Sequence, residues 1–419
     1  MSSKVLVINS GSSSLKYRLF AVENGEARHL AQGLIERIGL SGARIKCDCT
    51  CDHDEDCATR LLNGKGNLEI PTHRAAIDAL CTILLGPHCG VLTDISELAG
   101  IGHRVVHGAE EFSASVIIDK AVISGISKCA RLAPLHNPPA LMGIKACAEA
   151  FEGIPQVAVF DTAFHSSLPV EAYTFPIPHR FYEKYGVRKY GFHGTSHRYV
   201  SGEAIRLLGL PAEETRIITC HLGNGCSIAA VKGGKSVDTS MGLTPLGGVM
   251  MGTRPGDLDP YIPLFMLKEL EMTPEEVDAT LNKQSGLKGI CDLSDVRDIE
   301  KRAANGEAEC QLALDMIAYR VACFIGSYAM VMGGVHGIVF TAGIGENNPA
   351  MRTRVLRNAG YLGLSVDEER NARNETFIST DDSKVKVMVI PTNEELVIAR
   401  DTARLVGQLS EAKQPALTE

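Results

Sequence analysis

The apolar runs KVLVI at residues 4–8 and LKYRLFAV at 15–22 predict two strands, and Asn24-Gly25 marks a hairpin into a third strand at 31–38. The chain is therefore expected to open as a β-meander. The same order returns at 216–238, where RIITC, the turn HLGNGCS, IAAV, the hairpin Lys232-Gly233-Gly234-Lys235 and SVD follow one another. This repetition predicts two similar domains facing each other across a cleft, with one Gly-rich turn from each aimed into it, although two unrelated hairpins would give the same pattern. Helical patterns cover 74–85, 139–150, 196–208 with Ser196 as N-cap, 273–281 and a long stretch at 308–332. Alternating strands and helices make the class α/β. The last ten residues, SEAKQPALTE, read as a frayed tail.

Length supports more than one core, since 419 residues exceed the roughly 250–300 at which a single core usually splits. The net charge of −8 is the wrong sign for a protein that lives on a nucleic-acid backbone or an anionic membrane, so a small-molecule partner is expected. The odd count of 13 Cys, scattered through strand-like and helix-like segments, fits reduced thiols in the cytoplasm, and MSSKVLVINS enters a strand without the pattern of a signal peptide. VACFIGSYAMVMGGVHGIVF, at 321–340, is long enough to raise a membrane span, but Gly333-Gly334 divides it into a helix-like and a strand-like half, which predicts buried core.

The chemistry is concentrated in turns. In Asn9-Ser10-Gly11-Ser12-Ser13-Ser14, backbone N–H groups and small hydroxyls can converge on an anion, Lys16 adds a point charge, and Asn9 offers an oxygen to Mg²⁺ or its waters. The GxxxxGK[ST] loop is absent, and an exposed Ser-rich turn is the competing reading. Two further Gly-rich turns, His221-Leu222-Gly223-Asn224-Gly225 and Gly343-Ile344-Gly345-Glu346-Asn347, each follow an apolar strand. Three strand ends of this kind suit a nucleotide.

GHRVVHGAE, APLHNPPA, FDTAFH, YGFHGTSHR and MGLTPLGGVMMGTRPGDLDP carry an unusual density of reactive side chains. VINSGSSSLKY, GHRVVHG, FDTAFH, YGFHGTSH, HLGNG, DTSMGLTPL, MMGTRPGD, FTAGIGEN and PTNEELVIARDT together resemble the acetate kinase family, in order, from residue 4 to about 405. The resemblance implies two duplicated ribonuclease-H-like (actin-like ATPase) domains flanking a nucleotide cleft: an N-terminal domain of 1–160 plus 394–419, and a C-terminal domain of 161–393 that binds nucleotide and dimerises. It implies ATP or ADP and Mg²⁺ (or Mn²⁺), acetate or acetyl phosphate as partner, and a homodimer. By the same resemblance, Asn9 and Glu394 are metal-associated, and Ser12, Ser14 and Lys16 belong to the first phosphate turn. Arg104, Arg254, Asp161 and His193 are catalytic, and Asn224 is the asparagine of the cleft. His221, Leu222, Gly223, Asn224, Gly225, Asp295, Val296, Arg297, Gly343, Ile344, Gly345, Glu346 and Asn347 form the nucleotide segments.

These residue types fit a carboxyl kinase. A carboxylic acid with a pKa near that of Glu, about 4.3, is already ionised at neutral pH, so the acceptor needs cations to meet the γ-phosphate rather than a base. Arg104 and Arg254 suit that task, His193 a hydrogen bond to the phosphoryl group, and Asp161 the orienting of an arginine or a metal-bound water. The resemblance also points to Val106, Leu135, Phe192 and Pro245 as apolar walls of the acyl site. Val106 favours acetate over propionate, since propionate-preferring relatives tend to be smaller there.

Gly247 and Pro255 depart from the family's usual Glu and Ser, and the usual second Gly after His107 is missing. Two other readings compete: an Hsp70- or actin-like ATPase acting as a binding protein, and a sugar kinase with Asp161 as base. Cys47, Cys49, Cys51, His53 and Cys57 form an insertion-like stretch that reads as an exposed acidic hairpin loop or, less readily given its C-x-C-x-C spacing, as a zinc site.

Overall fold

The computed structural model describes residues 2–49, 69–86 and 91–413. The chain divides into two compact units, Met1–Ala163 with Asn393–Glu419, and Phe164–Thr392.

Unit 1 is built on a seven-stranded sheet of order β4-β3-β2-β1-β5-β7-β6. Its strands are β1 (Ser3–Ser10), β2 (Ser14–Glu23), β3 (Glu26–Glu36), β4 (Arg44–Cys49), β5 (Leu98–Val105), β6 (Val116–Ile117) and β7 (Gln156–Phe160). The β1-β2-β3 meander is antiparallel, whereas β5 runs parallel to β1, and β7 parallel to β5. Asn24 and Gly25 both have positive φ (51° and 80°), as a two-residue hairpin turn with the right twist requires, and Glu23 pairs directly with Glu26. The third strand therefore starts at Glu26, earlier than the apolar run at 31–38 predicts.

The pleat of β1 serves two cores. Val5 and Val7 pack with Val157, Val159, Ile398, Ala399 and Val406, while Leu6 and Ile8 pack with Ile77, Leu80, Leu84 and Phe151. Ile398 and Val406 belong to the helix Glu394–Lys413, which returns the end of the chain to unit 1. Gly102 on β5 lets this helix approach, because a Cβ there would lie 2.5 Å from both Ile398 and Thr402. The helix includes Ser410 and Glu411, so part of the expected frayed tail is ordered by packing further back along the same helix.

Unit 2 has a five-stranded sheet of order β10-β9-β8-β11-β12, made of β8 (Arg216–Leu222), β9 (Cys226–Lys232), β10 (Lys235–Thr239), β11 (Gly337–Thr341) and β12 (Lys386–Val389). Strands β8, β9 and β10 are antiparallel, and β11 runs parallel to both β8 and β12. This matches β3-β2-β1-β5-β7 of unit 1 strand for strand, so the chain contains the same α/β sheet twice.

Several local expectations are corrected. Ser196 is not an N-cap: the helix runs Gly194–Leu208 with His193 at its start in the left-handed region (φ 55°), and Ser196 is buried inside it. Gly343, Ile344, Gly345, Glu346 and Asn347 form a helical turn, Ala342–Asn347, rather than an open Gly turn. Cys47 and Cys49 lie on β4, with Cys47 opposite Gly33, instead of in a loop, and Cys51, His53 and Cys57 lie outside the described residues. Among the described residues no cluster of three or more His, Cys, Asp or Glu is placed to hold a metal.

In the long apolar stretch, β11 is fully buried, but the helix Ala308–Met332 is buried along one face only. Leu314, Ile317, Val321 and Tyr328 point inward, while Leu312, Tyr319, Met330 and Val331 are exposed. By length and composition alone this helix could cross a membrane. Its inward face is part of unit 2, ending where Gly333 takes the left-handed conformation (φ 70°).

His103 on β5 is 2% exposed, with Nε2 2.7 Å from the Gln156 side-chain amide, and burial pushes its imidazole down to about 4. Below pH 6.5 the unfolded chain takes up a proton that the folded chain refuses, so stability is lost as pH falls from 6.5 towards 4. The loss is expected to be about 2–3 kcal/mol by pH 4.5. Urea-unfolding curves at pH 7.5 and 4.5 should show that part of the difference removed in His103→Asn; an unchanged difference would contradict it.

Candidate active site

In unit 1 the parallel strands end together. Arg104 on β5 and Asp161 just beyond β7 form a close pair: Arg104 Nη2 donates to Asp161 at 2.7 Å, and Nε reaches both carboxylate oxygens at 3.2 Å. Asp161 is almost wholly buried, and its own N–H donates to Val105 O at 3.0 Å. Glu394, the first residue of the returning helix, lies 3.9 Å from Arg104 Nε. The Asp161 carboxylate beside it pushes the Arg104 guanidinium well above its ordinary range, against the effect of burial. Glu394 is pushed up, first by burial and then by Asp161 and Glu395, with Arg104 and Lys16 opposing.

Lys16 is not in the serine turn but on β2, opposite Asn9 of β1, and it pairs with Glu395, which also lies 3.6 Å from Arg18. The turn itself is closed by Gly11 N–H to Ser14 O at 2.8 Å, leaving Ser12 exposed and Ser14 half-buried. His73, which sequence reasoning missed, lies with Nε2 2.8 Å from Gly11 O and so ties the turn to the helix His73–Leu85. Val106 follows the end of β5 and is half-buried, whereas Leu135 is 65% exposed.

In unit 2 the ends of β8 and β11 build a cavity of about 560 Å³. It is lined by Gly223, Asn224, Ser294, Asp295, Val296, Arg297, Glu300, Gly343, Ile344, Asn347 and Asn348. Three separated sequence segments thus meet in one place. His221 and Leu222 are strand residues instead, and Gly345 and Glu346 are not among the residues that line the cavity. The Glu346 carboxylate accepts from the N–H groups of Ala342 (2.8 Å) and Thr392 (3.1 Å) and holds the helical turn in place. From the other side the buried Arg352 donates to the carbonyls of Gly345 (2.8 Å) and Glu346 (3.1 Å). Asp295 caps the helix Val296–Ala304, and its pKa is held down to about 2 by hydrogen bonds from Arg297.

His193 and Arg254 converge on Gly225. A Cβ built on Gly225 would lie 2.7 Å from Arg254 Nη2 and 3.4 Å from His193 Nε2, so both donors crowd one backbone position next to the cavity-lining Asn224. Arg254 Nη1 donates to Pro245 O at 2.5 Å; among the described residues no carboxylate pairs with it, and burial pushes its pKa down. A guanidinium without a counter-anion is suited to receiving one. His193 is held by Ser227 Oγ at 2.8 Å from Nδ1, and its ring stacks on that of His221 with centroids 4.2 Å apart. Phe192, before it, is buried, and its carbonyl accepts from His165 Nε2 at 3.0 Å. His165 and His197 stand in the quoted motifs FDTAFH and YGFHGTSHR, but only their burial and hydroxyl partners mark them as part of the same assembly.

A duplicated sheet of this order, with Gly- and Ser-rich turns at the strand ends, one arginine set against carboxylates and another without a carboxylate partner, fits a phosphotransferase. A profile of the acetokinase family matches residues 4–400. An acetate kinase of Clostridium botulinum is 51% identical over 411 residues, covering 97% of this chain and all of its own. Among solved structures, a Porphyromonas gingivalis acetate kinase (41% identical, TM-score 0.88) and a Francisella tularensis propionate kinase (40%, 0.87) each cover 96% of this chain and their own full length. The chain belongs to the acetokinase family. The Hsp70-like and sugar-kinase readings are thereby set aside, and the ATP- or ADP-dependent chemistry of the family applies.

Gly225→Ala would place a methyl group 2.7 Å from Arg254 Nη2 and displace the guanidinium. Turnover is expected to fall by about 10²-fold with little change in the thermal unfolding midpoint. An active Gly225→Ala enzyme would show that this close approach does not matter for the reaction.

Proposed function

We propose that the chain catalyses reversible phosphoryl transfer between ATP and acetate, giving acetyl phosphate and ADP by direct in-line displacement. The observation that carries this reading is the convergence of Arg254 and His193 on Gly225 beside a cavity of nucleotide size. The cavity takes the nucleotide, making unit 2 the nucleotide-binding unit. Arg254, lacking a carboxylate partner, receives negative charge from the transferring phosphoryl group, and His193 donates to one of its oxygens.

Acetate arrives ionised, so no base is needed. The geometry of Asp161 agrees with that: its carboxylate is occupied by Arg104 and serves to aim the guanidinium rather than to accept a proton. Arg104 in turn binds the carboxylate of acetate or the carbonyl oxygen of acetyl phosphate. Asn9 and Glu394 hold Mg²⁺, for which Mn²⁺ can substitute. The donor set fits in chemistry, because Mg²⁺ binds through one or two carboxylates while keeping waters and phosphate oxygens, and Asn9 stands opposite Lys16, whose amine pairs with Glu395 next to Glu394. The metal supplies charge for the nucleotide phosphates.

Val106, which follows Arg104 at the end of β5, bounds the methyl group, and the discrimination against propionate is about 1–3 kcal/mol for the extra methylene. The enzyme works in the cytoplasm as a homodimer.

An ADP-release assay with ATP, Mg²⁺ and acetate, propionate, butyrate or glycerol tests the reading, with hydroxylamine to trap acyl phosphate. Hydroxamate is expected with acetate and less with propionate; ATP hydrolysis without an acceptor, or consumption of glycerol without hydroxamate, would reject it.

The raised pKa of Glu394 adds a pH signature. A proton held more tightly than on an ordinary Glu competes with the metal at higher pH, so the Mg²⁺ concentration for half-maximal turnover should rise as pH falls towards the carboxylate range, and should begin to rise at a higher pH than an ordinary Glu would cause. In Glu394→Gln that concentration should be higher throughout and lose its pH dependence. Equal slopes in both proteins would remove Glu394 from the metal site.

A further inference from the structure

Behind His193 runs a chain of hydrogen bonds that ends in the core. His193 Nδ1 lies 2.8 Å from Ser227 Oγ, Ser227 Oγ lies 2.7 Å from His197 Nε2, and His197 Nδ1 lies 2.7 Å from Thr219 Oγ1. Ser227, His197 and Thr219 are all fully buried. We infer that Thr219, His197 and Ser227 are positioning residues that fix His193 as the neutral tautomer with its proton on Nε2, the nitrogen beside Gly225 and Arg254.

The direction of the chain follows from its buried end. Among the described residues the Thr219 hydroxyl has no hydrogen-bond partner other than His197 Nδ1. Were His197 to donate from Nδ1, the Thr219 proton would have no acceptor in a site without water access, a penalty of about ten- to a hundredfold in population. Thr219 therefore donates to His197 Nδ1. Burial lowers the basicity of His197, with His165 and His221 adding to the effect, so its ring is neutral and its single proton sits on Nε2.

That proton is donated to Ser227 Oγ, and the Ser227 proton is left with His193 Nδ1 as its acceptor. A neutral His193 must then carry its proton on Nε2. An imidazolium would send a second N–H to Ser227 Oγ and strand the Ser227 proton, and the stacked His221 ring at 4.2 Å adds no support for a cation. His165 is fixed by the same rule, since the Phe192 carbonyl accepts only from an N–H, and so Nδ1 takes the Ser236 hydroxyl proton at 2.7 Å.

The consequence for catalysis rests on the proposed role of His193 as donor to the phosphoryl group. A histidine with the other tautomer would present a lone pair to phosphate oxygen, and the chain of hydroxyls prevents that without any residue of the chain touching substrate.

The test is long-range ¹H–¹⁵N correlation spectroscopy on enzyme labelled with ¹⁵N-histidine at pH 7.5, the His193 signals being identified by their loss in His193→Ala. Wild-type His193 is expected to show a protonated Nε2 and an unprotonated Nδ1. Ser227→Ala is expected to bring the two nitrogen shifts towards each other and to lower kcat by at least about tenfold with a smaller change in KM. A protonated Nδ1 in the wild-type enzyme overturns the inference whether or not the variant folds, and so does a Ser227→Ala spectrum with His193 unchanged. Full turnover in His193→Ala would instead overturn the role given to His193 in phosphoryl transfer, while leaving the tautomer measurement to stand by itself.

Discussion

The direction of the strands decides what each unit can present. Because β1, β5 and β7 run parallel, their C-terminal ends leave the sheet along one edge, and that edge receives Asn9 and Ser10, Arg104, and Asp161. The second sheet repeats the arrangement with β8, β11 and β12, so Asn224 and Gly225, the Ala342–Asn347 turn and Thr392 collect at one edge as well. An antiparallel partner would have sent every second turn to the opposite edge. Ligand-binding turns in open α/β sheets gather at the carboxyl ends of strands for this reason, and here the reason operates twice in one chain.

The two arginines that look alike in the sequence differ in electrostatic state. Arg104 is held in bidentate fashion by a buried carboxylate and faces a second, so its position is over-determined and its charge largely balanced. Arg254 has a carbonyl where Arg104 has Asp161, and burial works against its charge. The first arrangement favours orientation and the second favours capture of an anion.

The α/β class, the duplication and the positions of the Gly- and Ser-rich turns could be read from the sequence because strands followed by such turns leave a local signature, whereas the roles of single side chains came only from the family resemblance. Asn24-Gly25 and Gly333 were legible for the same reason: a positive φ demands particular residues. What stayed hidden depends on long-range placement. Nothing local distinguishes Gly345 and Glu346, which support the turn, from Gly343 and Asn347, which line the cavity. Ser227 lies in a strand whose pattern is purely structural, and His73 is separated from Gly11 by 62 residues. Ser196 misled because a serine before an apolar helix usually caps it, whereas here His193 starts the helix three residues earlier and the hydroxyl turns to His221 Nδ1 at 2.8 Å. Lys16 was placed in the phosphate turn by sequence proximity, but the strand register sets it across from Asn9 and against Glu395.

Unit 1 is interrupted: its sheet is complete by β7, but one of its two faces is covered by a helix that begins at Glu394, after all of unit 2. On a ribosome that interval matters. Val5, Val7, Val157 and Val159 must wait with one side uncovered while 229 residues, Phe164–Thr392, are made and can fold as a continuous piece. At about 5–20 residues per second this leaves an apolar face open for ten seconds or longer. The order of maturation is thus inverted relative to the order of synthesis: the part begun first closes last, and Glu394, which sits at the head of the closing helix, reaches Arg104 only after all of unit 2 has been made.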